Sequence, residues 1–241
     1  MKLVLDIGNT RVKAGLFEKK QLREIIISAE PSFGFIESIC LKHKDISSVI
    51  LSSVRNIAPA VVDLLKGKNF FIEFSDTTPV PVKNFYKTPC SLGKDRLAGV
   101  IAANALYPKE NILVVDAGTC ITYDFINASG EYLGGSISPG LSIRFKSLHT
   151  FTEKLPLVSL TNYYELTGTD TETSILSGVI NGLIAEADEI INKYRKLYNP
   201  LRTVICGGDA LFLSVRLKNS IFAVPELVMI GLNEILAYNE R

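Results

Sequence analysis

Leu3-Val4-Leu5-Asp6-Ile7-Gly8-Asn9-Thr10, followed by Arg11-Val12-Lys13-Ala14-Gly15-Leu16-Phe17, stands at the start of the chain. Its pattern returns as Leu113-Val114-Val115-Asp116-Ala117-Gly118-Thr119, followed by Cys120-Ile121-Thr122-Tyr123-Asp124-Phe125-Ile126. Each copy reads as an apolar strand, a tight turn carrying Asp-x-Gly and Thr, and a second strand. The two aspartates stand close to half of the 241 residues apart. That spacing points to a duplicated fold with two such turns facing each other across a cleft. Turns rich in Gly and Thr offer backbone N–H groups and hydroxyls to phosphate, and the Asp can hold a cation. The expectation is a nucleotide site built from two hairpins.

Working outward, Val12 to Phe17 and Leu22 to Ile27 continue the opening meander, and Glu131 to Ile137 completes the second one. Helical spacing over Ser32 to His43 and Ala58 to Leu65, with strands at Val49 to Val54 and Phe70 to Phe74, gives a βαβ order of helices packed on a sheet. Thr77 to Pro89 holds Pro79, Pro81 and Pro89 and reads as an extended covering loop. Lys94 to Leu106 reads as a helix, and a further helix starts at Leu141. Thr171 to Tyr194 has Ile175, Val179, Leu183, Ala187 and Ile191 on one face, with Gly178 and Gly182 on a stripe that allows close helix contact between subunits. Val204-Ile205-Cys206 reads as a strand, followed by a helix to Lys218 and a terminal helix from Leu227 to Tyr238.

Composition narrows the function. Net charge is +1, with 47% hydrophobic and 21% charged residues. This is the make-up of a well-packed soluble protein, with no reason to expect nucleic acid or an anionic membrane as a partner. No apolar run approaches the roughly 18 residues of a membrane span, and Asp6 comes too early for a signal peptide; a cytoplasmic protein is expected. Cys40, Cys90, Cys120 and Cys206 contain no Cys-x-x-Cys pair, so they read as small reduced side chains. His43 and His149 sit in no zinc motif. P-loop, Gly-x-Gly-x-x-Gly and Gly-x-Ser-x-Gly signatures are absent.

Two further turns carry chemistry. Leu92-Gly93-Lys94-Asp95-Arg96 opens a helix, where Gly leaves backbone donors for an anion. Asp95 either complements the helix dipole or serves as a general base, with Arg96 as a forked clamp on carboxylate or phosphate. Gly207-Gly208-Asp209-Ala210 sits at a strand-to-helix turn. There Gly lets backbone approach a flat ligand such as adenosine, with Asp209 as helix N-cap. Thr171 reads as a cap of the long helix.

Taken together these residues resemble the type III pantothenate kinases, of the acetate and sugar kinase/Hsp70/actin superfamily. The match runs in order through Asp6-Ile7-Gly8-Asn9-Thr10 with Lys13, Tyr86 and Pro89, and Gly93-Lys94-Asp95-Arg96. It continues through Asp116-Ala117-Gly118-Thr119 with Thr122, Gly134-Gly135-x-Ile137-x-Pro139-Gly140, Thr171 with Ser177-Gly178, and Gly207-Gly208-Asp209-Ala210. The resemblance implies an α/β fold of two duplicated ribonuclease-H-like halves, 1–108 and 109–241, each a mixed sheet flanked by helices, with the nucleotide cleft between them. It implies ATP-dependent phosphorylation of the primary hydroxyl of pantothenate, the first committed step of coenzyme A synthesis. A homodimer and a monovalent cation, potassium or ammonium, are implied besides magnesium with ATP. Carried over by position, Asp6, Ile7, Gly8, Asn9, Thr10, Arg11, Val12 and Lys13 line the ATP phosphates, with Asp6 near the magnesium through water. Asp95 is the general base. Tyr86, Gly93, Lys94, Arg96 and Thr171 contact pantothenate, Thr171 from the other subunit. Asp116 binds the monovalent cation, Thr119 contacts ATP, and Gly207 and Gly208 flank the nucleotide. The chain departs from the family pattern at Cys120, which puts a thiol beside the nucleotide loop, and at Ser138. Two rival readings remain: a superfamily kinase acting on a sugar or short carboxylic acid, and a non-catalytic regulator that keeps the fold.

Overall fold

The computed structural model describes residues 1–9, 11–162 and 164–240. In chain order it forms β1 (Lys2–Ile7), β2 (Val12–Glu18), β3 (Gln21–Ser28), α1 (Phe33–Lys42), β4 (Ser48–Ser53), α2 (Pro59–Lys66), β5 (Phe70–Glu73), β6 (Lys83–Asn84) and α3 (Lys94–Leu106). There follow β7 (Asn111–Ala117), β8 (Cys120–Ile126), β9 (Glu131–Pro139), α4 (Leu141–Thr150), α5 (Thr171–Leu197), β10 (Leu201–Cys206), α6 (Ala210–Ser214), β11 (Phe222–Ala223) and α7 (Leu227–Asn239). Contacts divide the chain into two compact units, Met1–Leu106 with Leu227–Arg241, and Tyr107–Glu226. Among the described residues no helix is long and apolar enough to cross a membrane.

The two units repeat one topology. In the first the strands run β3-β2-β1-β4-β5; in the second the corresponding run is β9-β8-β7-β10-β11. The strand that carries each aspartate pairs antiparallel with the next strand and parallel with a later one: β1 with β2 and β4, β7 with β8 and β10. A central strand covered on both faces needs a continuous apolar run, which is why Leu3-Val4-Leu5 and Leu113-Val114-Val115 show no polar alternation.

The two faces of β1 do different work. Leu3, Leu5 and Ile7 enter a core with Ile36 and Ile39 of α1 and Val61 and Leu65 of α2. Each such side chain contributes about 1.5–3 kcal/mol on full burial. Val4 and Asp6 point the other way, to the side where Met229 of α7 lies against Gly15, the cross-strand partner of Val4. In the second unit Leu113, Val115, Ile121, Tyr123 and Phe125 pack on α4 and α5, so Asp116, Thr122 and Asp124 share the opposite face.

Several elements differ in detail from the reading of the sequence. The cap of α5 is Asp170, which accepts the Thr173 N–H at 2.8 Å; Thr171 is the first helical residue. The helix after Gly207-Gly208 ends at Ser214 instead of Lys218, and Asp209 stands at its N-cap position without a capping hydrogen bond from its side chain. The Pro-rich stretch carries β6, and a 3₁₀ turn from Pro89 to Ser91 follows it. Helix α7 groups with the N-terminal unit, although the sequence divides near residue 108. The reason is a close crossing with α3, where a Cβ on Gly231 would lie 1.9 Å from the Ala98 carbonyl oxygen. That obstacle is helix backbone, which cannot yield as a side chain can. Gly231→Ala is therefore expected to destabilise the protein by about 3 kcal/mol, read as a lower urea midpoint; an unchanged midpoint would contradict the crossing.

Candidate active site

The first hairpin turn is closed by the Gly8 N–H, which donates to the Arg11 carbonyl at 3.0 Å. The second is tighter by one residue: the Gly118 N–H donates to the Cys120 carbonyl, also at 3.0 Å. These two amides are spent inside their turns, so the N–H groups that the turns could offer to a phosphate are others. Thr10 lies outside the described residues.

Strand register fixes which face Lys13 occupies. It is directly opposite Asp6 on the neighbouring strand, so the two side chains share a face. Asp6 is half-buried, and its pKa is raised from 3.8 to about 6. Burial is the main cause and the nearby Asp95 carboxylate the second, with Lys13 pulling the other way. β1 and the first turn of α3 thus bring together the two acids singled out in the sequence.

Around Asp95 the elements are tightly fitted. Its Oδ1 accepts the Arg96 N–H at 2.8 Å, and a Cβ on Gly93 would fall 2.6 Å from the same oxygen. Gly93 makes room for the carboxylate. The Arg96 side chain is buried at 7% exposure, and its guanidinium carbon lies 5.5 Å from the Tyr86 ring centroid. Stacking of this kind fixes the planar fork. The Tyr86 N–H is anchored on Asn84 Oδ1 at 2.9 Å. Lys94 turns its ammonium to the Ser53 carbonyl at 3.3 Å. Tyr86, Gly93, Asp95 and Arg96 therefore form one cluster, with Lys94 directed to the end of β4.

In the second unit, Asp116 stands at the end of β7 with Gly118 and Gly207 beside it. A Cβ would lie 3.7 Å from Asp116 Oδ1 at Gly118 and 2.4 Å from it at Gly207. Gly207 also has φ +93° and abuts the Ala117 carbonyl, so any other residue there is strained. The Asp209 N–H donates to Ala117 O at 2.8 Å, and burial pushes the Asp209 carboxyl above its usual range. Asp116, Gly207 and Gly208 are thus neighbours around one strand end. Thr119 forms the adjoining turn, where its carbonyl accepts the Gly140 N–H at 3.1 Å.

Thr171 lies elsewhere in this unit. It lines an open groove of about 880 Å³ between α4, α5 and the segment joining them. Arg144, which also lines the groove, was missed in the sequence. It donates to Pro139 O at 2.8 Å, Ser138 Oγ at 2.9 Å and Glu186 Oε2 at 2.6 Å, pinning the turn that leads to Gly140. Nothing in the local sequence separates Arg144 from any other exposed helical arginine.

Duplicated sheets of this order, with an aspartate at the end of each central strand, define the actin-like, ribonuclease-H-like fold. Solved structures agree on the fold. A Campylobacter jejuni protein described as belonging to the Baf family of transcriptional activators superposes with a TM-score of 0.60 at 24% identity, covering 99% of this chain and 98% of that one. A ROK hexokinase from Thermus thermophilus gives 0.51 at 14% identity, covering 99% of both chains. The model of the type III pantothenate kinase family matches residues 2–193. A type III pantothenate kinase from Phocaeicola vulgatus is 44% identical over 242 residues, covering 100% of both chains. The chain belongs to the type III pantothenate kinase family.

Proposed function

We infer that the protein transfers the γ-phosphoryl group of ATP to the primary hydroxyl of pantothenate, giving 4′-phosphopantothenate for coenzyme A biosynthesis. Family membership supports the overall reaction. The observation that carries the chemistry is the geometry at the first turn of α3, where Asp95 Oδ1 accepts the Arg96 N–H at 2.8 Å and the Arg96 guanidinium lies 5.5 Å from the Tyr86 ring centroid.

Phosphoryl transfer depends on positioning and charge neutralisation more than on covalent chemistry. Asp95 acts as general base. Its Oδ1 is held by the Arg96 amide, which leaves Oδ2 to accept the hydroxyl proton. Arg96, stacked on Tyr86, grips the pantothenate carboxylate, and Gly93 lets the substrate approach. Lys13 sets a positive charge beside the triphosphate. The tip amides of Asn9 and Thr119 serve the phosphates, since Gly8 and Gly118 are committed to their turns. Ile7, Arg11 and Val12 frame the first turn, and Gly207 with Gly208 flanks the adenosine.

The donor set at Asp6 fits a divalent cation, because a half-buried carboxylate repelled by a second one gains from positive charge. Magnesium would be held there by Asp6 through water together with the phosphates, a usual pattern for this ion, and supplies neutralisation of the phosphate oxygens. Asp116 fits a monovalent cation: it is a carboxylate at a strand end approached by backbone, with a side chain at Gly207 excluded 2.4 Å from its Oδ1. Activity in potassium is expected to exceed that in sodium several-fold at equal ionic strength; equal rates in the two salts would refute this assignment.

A homodimer is the expected assembly. Among the described residues, and apart from the glycine's chain neighbours and the helix's own nearby backbone, no atom lies within 4 Å of a Cβ built on Gly178 or Gly182 of α5, so this stripe offers room for a second copy, with Thr171 on the same helix. A protein that sediments as a monomer at micromolar concentration would overturn this part. The reaction is tested by mass spectrometry of the product from ATP and pantothenate with magnesium and potassium. A folded, ATP-binding sample that yields no 4′-phosphopantothenate would move the assignment to another kinase substrate or to a regulator.

A further inference from the structure

The face of β8 that bears Thr122 also holds a carboxylate with no part in the chemistry above. Asp124 is 1% exposed. Tyr132, itself fully buried, donates its hydroxyl to Asp124 Oδ1 at 2.7 Å. Thr122 Oγ1 donates to Asp124 Oδ2 at 2.8 Å. Burying a carboxylate is costly unless it is hydrogen-bonded, and here each oxygen receives a hydroxyl proton.

The consequence falls on Thr122. A threonine hydroxyl has one proton and two lone pairs. With that proton committed to Asp124, Thr122 Oγ1 presents only lone pairs to any other neighbour. Strand register sets Thr122 directly opposite Asp116, and residues so paired share a face with Cβ atoms about 4.5–5.5 Å apart. A carboxylate and a hydroxyl whose proton is already used make two hard oxygen donors side by side. Such a pair disfavours a phosphate oxygen and favours a cation. The first hairpin has a different partner in the matching place: Lys13 lies opposite Asp6, so the equivalent position there already carries a cation of its own.

We propose that Thr122 is a second oxygen ligand of the monovalent cation assigned to Asp116, and that Asp124 and Tyr132 are positioning residues that hold its lone pairs outward. The proposal rests on the reading of Asp116 as the cation site. Partners that orient a ligand from behind typically change metal affinity by about 10–100-fold when removed.

The test reads binding directly. Thallium(I), a potassium-sized probe, is titrated by ²⁰⁵Tl NMR into the protein with magnesium and a non-hydrolysable ATP analogue. Thr122→Val is expected to weaken thallium binding at least tenfold, while Thr122→Ser stays within about threefold of the parent. Asp124→Asn, whose amide can donate to Thr122 and turn the hydroxyl proton outward, is expected to weaken binding as valine does. Should that variant fail to fold, the Val and Ser pair alone decides. Parent-like thallium affinity in Thr122→Val, with binding lost in Asp116→Asn, would overturn the proposal and leave the Asp116 site standing. Unchanged affinity in both variants would remove the Asp116 reading and the proposal with it.

Discussion

Asp95→Asn is expected to lower kcat by about 10²- to 10⁴-fold while ATP affinity stays within about twofold. The substitution is nearly isosteric. An asparagine Oδ1 can still accept the Arg96 N–H, so the first turn of α3 and the Arg96–Tyr86 stack are retained. What is lost is a group able to take a proton as the pantothenate hydroxyl attacks. The loss should appear in kcat with ATP, with little change in nucleotide binding measured by calorimetry. Arg96→Ala makes the contrast: it removes a ground-state grip on the substrate, so KM for pantothenate should rise more than kcat falls. Near-parental turnover in Asp95→Asn would remove Asp95 from its role as base.

Asp6→Asn has the second large effect, and it runs in opposite directions for activity and stability. In the nucleotide-free protein the Asp6 pKa is about 6 against an ordinary 3.8, so the folded state disfavours the ionised form. The folded protein therefore binds more protons than the unfolded chain between these values. Stability should fall as pH rises from about 4 to 6, and the penalty should be fully present above that window, amounting to about 2–3 kcal/mol. Asparagine does not ionise and escapes the penalty. Asp6→Asn should thus raise the urea midpoint of the ligand-free protein at pH 7, an advantage that shrinks toward pH 4, while ATP turnover is lost. A midpoint at pH 7 no higher than the parent's would show that Asp6 carries no such strain. Functional sites often hold charge at the expense of stability in this way.

Much of this site was legible because two short segments carry their chemistry at fixed strand positions. The apolar runs ending in Asp6 and Asp116 identified central strands, and their recurrence gave the duplication. The Gly93-Lys94-Asp95-Arg96 run showed that an acid opens a helix. Orientation was not legible. Whether Lys13 faces Asp6 depends on the register across the turn, and one residue of slip would have turned it to the other face. The same limit hid the Thr122–Asp124–Tyr132 chain. Thr-x-Asp alternation was visible in β8, but Tyr132 reaches Asp124 only through the pairing of β8 with β9, where the register shifts near Phe125. Asp170 was overlooked as the cap of α5 because Thr171, also a good capping residue, stands next to it. The place of α7 depended on a helix crossing fixed by one glycine, which periodicity does not encode.

The crossing of α3 with α7 also bears on the order in which the protein is made. The second unit is one continuous stretch of chain, whereas the first recruits residues from 227 onward. On the ribosome the unit with Asp6 and Asp95 is synthesised first yet lacks its final helix until synthesis nears residue 239. Domains generally fold as units during synthesis, so the later-made half can complete its core before the earlier one. Asp6 and Asp95, the acids assigned to the chemistry above, would then be among the last to find their places, and a ribosome stalled before α7 emerges would hold a chain with the second unit finished and the first incomplete.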